Sequence, residues 1–357
     1  MRRKTRPVKI GAATIGGKAP VTIQSMTNTD TCDPDSTLGQ IARLHEAGCE
    51  LVRLAVPDER AAKLLGYYKE HSPIPIIADI HFDFRLALLS MDQGVDKIRI
   101  NPGNIGGKEK LSQVVKRAAE KNVAIRIGVN AGSVQKELHK KYGGINADAL
   151  VESALNTLVF FESLGFYDIV ISLKASNVAS TVKAYEVIAD KTTYPLHIGV
   201  TEAGRGLKAA VKSSIGIGSL LLKGIGDTVR VSLTGDPVQE INVAKEILQA
   251  AGVRHFGPEI ISCPTCSRCK IDLEALLDRV EEVTEGMREP IKIAVMGCPV
   301  NGPGEAREAD IGISGASSKG GVVFKKGQIV KHVNNEDLMR VFEKELRDLR
   351  SKFALTG

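Results

Sequence analysis

Three cysteines stand in a C-P-T-C-S-R-C run, Cys263, Cys266 and Cys269. A fourth, Cys298, lies in a G-C-P-V-N-G-P-G-E run that ends in Glu305. Four of the six cysteines therefore fall in two short segments about thirty residues apart, each after an apolar stretch and each holding turn-forming residues. Thiolates that close in a loop-rich site usually hold a metal, and two metals fit these residue types. Structural zinc needs closed tetrahedral ligation, and C-x2-C pairs are common in zinc knuckles. A nucleic-acid-binding ribbon would normally add a second C-x2-C, whereas here the second half is a single cysteine in a Gly/Pro loop. The C-x2-C-x2-C run also resembles part of a bacterial ferredoxin ligand set. The fourth ligand is Cys269 or Glu305. A carboxylate is a harder, weaker ligand for cluster iron than thiolate, and its displacement would open one iron to substrate oxygen.

A second set of chemical residues recurs at the ends of apolar runs. Eight strand-like runs are expected at Val21–Met26, Leu51–Val56, Pro75–Asp79, Lys97–Asn101, Ala124–Asn130, Ile169–Lys174, Leu196–Thr201 and Thr228–Leu233. Helical stretches such as Asp35–Ala47, Glu59–His71, Lys108–Lys121, Asp148–Leu164, Ser176–Asp190 and Pro237–Ala251 separate them. Eight β-α units in about 230 residues predict a (β/α)8 barrel. An open doubly wound sheet fits less well, because no early G-x-G-x-x-G fingerprint is present. Parallel barrel strands point their C-terminal ends to one mouth. Gln24-Ser25, Arg53, Asp79 with His81, Arg99 with Asn101, Arg126 with Asn130, Ser172 with Lys174, His197 with Thr201-Glu202, and Arg230 with Ser232 would converge there. A single arginine in such a place commonly pairs with a neighbouring carboxylate. Four arginines and a lysine on five strands call for a polyanion, most simply a phosphate or diphosphate.

After Gly252 the pattern changes to a small α+β domain. A helix is expected at Asp272–Glu285, strands at Lys292–Met296 and Asp310–Ser314, and a hairpin at Val322–Val333 turning at Lys326-Gly327. A last helix, Glu336–Phe353, would be capped by Asn335. The expected division is 1–252 and 253–357. The linker, about Gly252–Glu259, spans at most about 27 Å. A barrel of about 25–30 Å leaves almost no slack to reach its own mouth, so a homodimer is expected, each cysteine domain capping the partner's barrel.

Composition narrows the classes. Apolar residues make up 43% and charged residues 25% of the 357, as in an ordinary globular protein, and Trp is absent. A net charge of +6 with no long basic block beyond the first seven residues is mild for nucleic-acid binding and suits a small anionic substrate equally well. No run reaches transmembrane length, and the basic N-terminus lacks the apolar core of a secretory signal. Clustered thiols then point to a reducing compartment, the cytoplasm.

The cysteine segments, together with Q-S-M-T-N-T-D, A-D-I-H-F, K-I-R-I-N-P-G-N-I-G, R-I-G-V-N and H-I-G-V-T-E-A-G, resemble the 4-hydroxy-3-methylbut-2-enyl diphosphate synthases, in the short two-domain bacterial form. The resemblance covers nearly the whole chain. It implies a [4Fe–4S] cluster and reductive ring opening of 2-C-methyl-D-erythritol 2,4-cyclodiphosphate. It also implies a homodimer and an electron donor that is ferredoxin or flavodoxin. By the same matching Cys263, Cys266 and Cys298 would hold three irons and Glu305 the fourth, with Cys269 outside the set. Arg53, Arg99, Arg126, Lys174 and Arg230 would grip the diphosphate, helped by Asn101, Asn130 and Ser232. Glu202 would be an acid/base near the reacting carbons. Asp79 and His81 would line the mouth or orient the arginines. Apart from that resemblance, a zinc-bearing phosphate-binding barrel and a nucleic-acid-binding zinc protein stay open.

Overall fold

The computed structural model describes residues 2–354 except 131, 133, 145, 176, 270, 299, 318 and 319. The side chains of 136, 139, 301, 303, 305, 316, 317 and 352–354 also lie outside the description. The chain divides into two compact units, Met1–Arg254 and His255–Gly357.

The first unit is the eight-stranded parallel barrel. A short antiparallel hairpin, β1 (Val8–Ile10) and β2 (Ala13–Ile15), comes first. The barrel strands follow: β3 (Thr22–Met26), β4 (Leu51–Ala55), β5 (Ile76–Ile80), β6 (Lys97–Ile100), β7 (Ala124–Asn130), β8 (Ile169–Lys174), β9 (His197–Ile198) and β10 (Thr228–Val229). They pair in the order β8-β7-β6-β5-β4-β3-β10-β9, and a parallel bridge between Ile171 and Leu196 closes the ring. All eight expected strands form. β9 and β10 are shorter than expected, although the first group past β10, Arg230 N, still donates to Ile198 O of β9 (3.1 Å). Leu233 N donates to the Glu240 carboxylate (3.2 Å) and Thr234 N to Gly204 O (2.9 Å).

Several helices start at an Asp or Asn whose side chain takes up an orphan N–H of the first turn. Asp58 receives Ala61 N (2.9 Å) ahead of α2 (Glu59–His71), following α1 (Pro34–Glu46), and Asn146 receives Ala149 N (3.0 Å) ahead of Ala147–Ser163. The β1–β2 hairpin supplies Val8, Ile10 and Ile15 to a buried cluster with Leu51, Ile77, Ala124 and Val170 at the strand starts. This apolar plug closes the end of the barrel opposite the mouth.

The second unit carries a five-stranded sheet, β11 (Glu259–Ser262), β12 (Lys292–Met296), β13 (Ile311–Ser317), β14 (Gly320–Lys325) and β15 (Gln328–Asn334). The first three strands are parallel and the last two are added as antiparallel hairpins. The β14–β15 turn sits at Lys326 and Gly327 as expected, with φ of 48° and 77°, the left-handed pair that a two-residue hairpin needs. Helices Leu273–Thr284 and Asn335–Ala354 cover one face, where Leu276, Val280, Phe342 and Leu346 pack on Ile293, Val295, Ile313 and Val323. The cap of the last helix is one residue earlier than expected: Asp337 N donates to Asn334 Oδ1 (2.9 Å), not to Asn335.

Candidate functional site

Side chains alternate across a strand, so Lys97, Arg99 and Asn101 share one face of β6, and Arg126, Gly128 and Asn130 share one face of β7. Register then aligns the charges. Asp79 stands opposite Arg99, Arg99 opposite Arg126, and Asn130 opposite Lys174. At the C-terminal ends of the strands a cavity of about 140 Å³ opens. Arg53, Arg99, Arg126, Lys174 and Arg230 line it, with Asp79, His81, Asn130 and Ser232 from the expected set and with Ser172, Val200 and Thr201. Five expected residues are not in the lining: Gln24, Ser25 and His197, which are fully buried, and Asn101 and Glu202. Asn101 is buried and builds its own turn, its Oδ1 accepting from Gly103 N (3.3 Å). Glu202, next to Thr201, is exposed in a left-handed conformation (φ 54°), and its carbonyl accepts from Lys212 Nζ (3.0 Å).

Two carboxylates organise the cations. Asp79 is nearly fully buried. Arg99 Nη1 donates to its Oδ1 (3.0 Å), while Arg53 Nε (3.6 Å) and His81 Nε2 (3.2 Å) face Oδ2. Burial alone would raise the Asp79 carboxyl, but Arg53, His81 and Arg99 outweigh it and hold it far below the usual carboxylate range. Arg53 also donates to the Met26 thioether (2.9 Å), and burial brings its guanidinium down to about 10. The second carboxylate, Glu240, was not expected in the site. It accepts from Arg230 Nη2 (3.1 Å), Ser25 Oγ (2.8 Å) and Leu233 N (3.2 Å). Its signal in the sequence is an acid on the buried stripe of helix Val238–Ala250, beside Ile241, Ala244 and Leu248.

Arg126 differs from the others. It is 1% exposed, and its Nε and Nη1 have no hydrogen-bond partner among the described residues. Burial, then Arg53 and Arg99, oppose its charge. A guanidinium does not shed its proton readily, so the group demands an anion. Gly128 makes the crowding possible, since a Cβ there would stand 2.7 Å from Arg99 Nε. Beneath the cavity lie Lys97, fully buried with Gln24 Oε1 at 3.5 Å, and His197, whose two ring nitrogens have no described partner. Burial and the surrounding cations push both well below their ordinary ranges.

In the second unit four of the chain's six cysteines fall in the two segments that follow one end of the sheet. β11 and β12 pair in parallel with Ser262 opposite Val295, so Cys263 and the Gly297-Cys298 pair follow adjacent strand ends. Gly297 N donates to Cys263 Sγ (3.2 Å), and Cys269 Sγ donates to Ile271 O (3.2 Å). None of the chain's cysteines is in a disulfide. Among the described residues no three metal-ligating side chains are gathered at binding distance. Thiols at the ends of paired strands, one receiving a backbone N–H, nevertheless suit an iron–sulfur donor set. The Glu305 side chain lies outside the described residues, while its backbone closes a helical turn, Val300–Glu305.

A parallel barrel with a cationic mouth, joined in sequence to a cysteine-bearing α+β unit, defines a barrel enzyme with a metal-suited module. Residues 5–245 match the GcpE TIM-barrel domain and residues 259–348 the GcpE protein C-terminal domain, so the chain belongs to the GcpE family. It is 56% identical over 349 residues to a 4-hydroxy-3-methylbut-2-en-1-yl diphosphate synthase (flavodoxin) of Caldanaerobacter subterraneus subsp. tengcongensis, covering 98% of both chains. It is 54% identical to the enzyme of that name from Maridesulfovibrio salexigens, covering 97% and 96%. Among solved structures, dihydropteroate synthase of Stenotrophomonas maltophilia matches with a TM-score of 0.52 at 16% identity, over 70% of this chain and 98% of that one, a likeness of fold alone. No helix of the described residues is long and apolar enough to cross a membrane.

Proposed function

We infer that the protein is an oxidoreductase of isoprenoid biosynthesis that opens 2-C-methyl-D-erythritol 2,4-cyclodiphosphate to 4-hydroxy-3-methylbut-2-enyl diphosphate. The observation that carries this reading is Arg126, a buried guanidinium without a described partner on two of its nitrogens, in a mouth built from four arginines and a lysine. Full-length relatives at over half identity carry that activity in their names. The diphosphate lies on Arg53, Arg99, Arg126, Lys174 and Arg230, with Asn130 and Ser232 as polar partners or wall. Asp79 and His81 orient Arg53 and Arg99, and Glu240 orients Arg230. These donors are fixed before the reaction, so they stabilise the departing diphosphate oxygen without reorganising. Glu202 is the proton donor.

Cys263, Cys266 and Cys298, with Glu305 as a fourth ligand, would hold a [4Fe–4S] cluster. When bound, that group supplies the two electrons one at a time. Residues 1–252 form the substrate barrel and 253–357 the cluster domain, in a cytoplasmic homodimer. Flavodoxin, which the relatives' names carry, is the electron donor. The test is anaerobic reconstitution, with about four irons and four sulfides per chain expected, followed by reaction with reduced flavodoxin. Loaded protein that leaves the cyclodiphosphate intact overturns the reading.

A further inference from the structure

The charges around the cavity can be counted against the ligand, and the lysine is the group left over. Lys174 lines the cavity but meets no carboxylate in any described hydrogen bond or ion pair. Burial, then Arg126 on β7, Arg230 just past β10, Arg53 on β4 and Arg99 on β6, all oppose its charge. His197 lies on β9, where Gly199 leaves room for the lysine: a Cβ at that position would stand 3.1 Å from Nζ. Asp79 on β5 is engaged by Arg53, Arg99 and His81, and Glu240 by Arg230. Leaving aside His81 at the mouth and the buried Lys97 and His197, whose charge burial opposes, four permanent guanidinium charges and two carboxylates leave an excess of two.

On the functional reading above, the cyclic substrate is a dianion, because each phosphorus carries one strongly acidic oxygen. It neutralises that excess with Lys174 uncharged. Ring opening changes the balance. The dianion, two electrons and one proton give water and a linear diphosphate trianion, whose terminal phosphate, with a second ionisation near about 6, is fully charged at pH 8. The product thus brings one more negative charge than the substrate into a site of low dielectric, where unmatched charge is disfavoured. The arginines cannot answer by titrating, but a lysine can.

We propose that Lys174 is uncharged beside the cyclic diphosphate and takes up a proton from solvent when the ring opens, so that the barrel's charge rises in step with the ligand's. Burial and the four guanidiniums, which push this amine well below the ordinary lysine range, act in the required direction. The lysine then serves as a charge-matching group and not as a permanent clamp. It discriminates the opened diphosphate from the closed one.

The experiment is calorimetric titration of oxidised, cluster-loaded protein at pH 8 without reductant. Cyclic substrate and linear product are compared in two buffers of different ionisation enthalpy. Product binding is expected to take up about one proton and substrate binding essentially none. In Lys174→Met, product affinity falls about ten- to a hundredfold further than substrate affinity does, and the proton uptake disappears. A Lys174→Met protein that loses substrate and product affinity equally overturns the proposal, because the ammonium is then permanent. So does wild-type uptake that is the same for both ligands, a comparison that needs no variant. Uptake lost in Lys97→Met instead places the proton on the wrong lysine. If neither ligand binds wild-type protein, the functional reading itself has failed.

Discussion

Replacing Arg126 by Met should make the ligand-free barrel more stable and the ligand-bound one much less so. The methionine fills most of the space of the arginine stem in a position that is 1% exposed. It forfeits no described hydrogen bond at Nε or Nη1, and it relieves the repulsion from Arg53 and Arg99. Replacing buried ionic groups by apolar ones of similar volume is often neutral or stabilising, here by about 1–2 kcal/mol. In a domain of this size each kcal/mol moves the midpoint by about 2–4 °C, so the barrel transition should rise by about 2–8 °C. Binding goes the other way. Two or more charge-assisted bonds to the diphosphate vanish, each about 1.5–3 kcal/mol, so affinity falls at least about a hundredfold. The assay is thermal unfolding in phosphate-free buffer, repeated with cyclodiphosphate, beside calorimetric binding. Ligand should raise the wild-type midpoint above that of Arg126→Met and so reverse their order. A variant that melts several degrees below wild type without ligand, or that binds as tightly, refutes the claim that Arg126 is held in reserve for an anion.

Gly128→Ala should push Arg99 away from Asp79, because the new Cβ would stand 2.7 Å from Nε; KM for the cyclodiphosphate rises about tenfold, and an unchanged KM shows that the guanidinium has room to yield. Asp79→Asn removes a carboxylate whose folded form is held below its unfolded pKa, so its contribution is complete above about pH 4 and fades as pH falls. The variant should be about 3 kcal/mol less stable at pH 7 by urea unfolding, with the gap closing in acid; a gap independent of pH argues against ionic pairing. Cys269→Ser should retain the iron that Cys263→Ser, Cys266→Ser and Cys298→Ser each lose, and equal loss would put Cys269 among the ligands. Glu202→Gln should bind substrate normally and turn over at least about a hundredfold more slowly; turnover at the parent rate removes it as proton donor.

The barrel was legible because buried parallel strands read as apolar runs and their ends carry the polar residues. Arg53, Arg99, Arg126, Lys174 and Arg230 could be placed at one mouth from strand direction alone. Glu240 could not, since an acid ten residues beyond Arg230 reaches the site only through the rotation of a helix. Asn101 shows the opposite failure. It follows β6 directly, yet its side chain turns back to Gly103 N, because Asn binds local backbone N–H groups as readily as a ligand. The cysteine set was visible by spacing. Spacing does not say which thiol a nearby carbonyl claims, as Ile271 O does Cys269.

The middle of this barrel departs from the usual filling of stacked apolar side chains. Leu51, Ile77, Ala124 and Val170 with the β1–β2 hairpin keep that filling only at the closed end, and above them Lys97, His197, Gln24 and Arg126 replace it. Such a layer is destabilising by itself, because desolvated cations repel and several of their donors lack partners among the described residues. The plug below excludes water from that end, and the two buried carboxylates hold Arg53, Arg99 and Arg230 at fixed positions. Of what remains uncompensated, Arg126 and Lys174 face the cavity. The stability given up there reappears as binding energy for an anion of matching charge, which is why removing a cation should stabilise the empty barrel while weakening the complex.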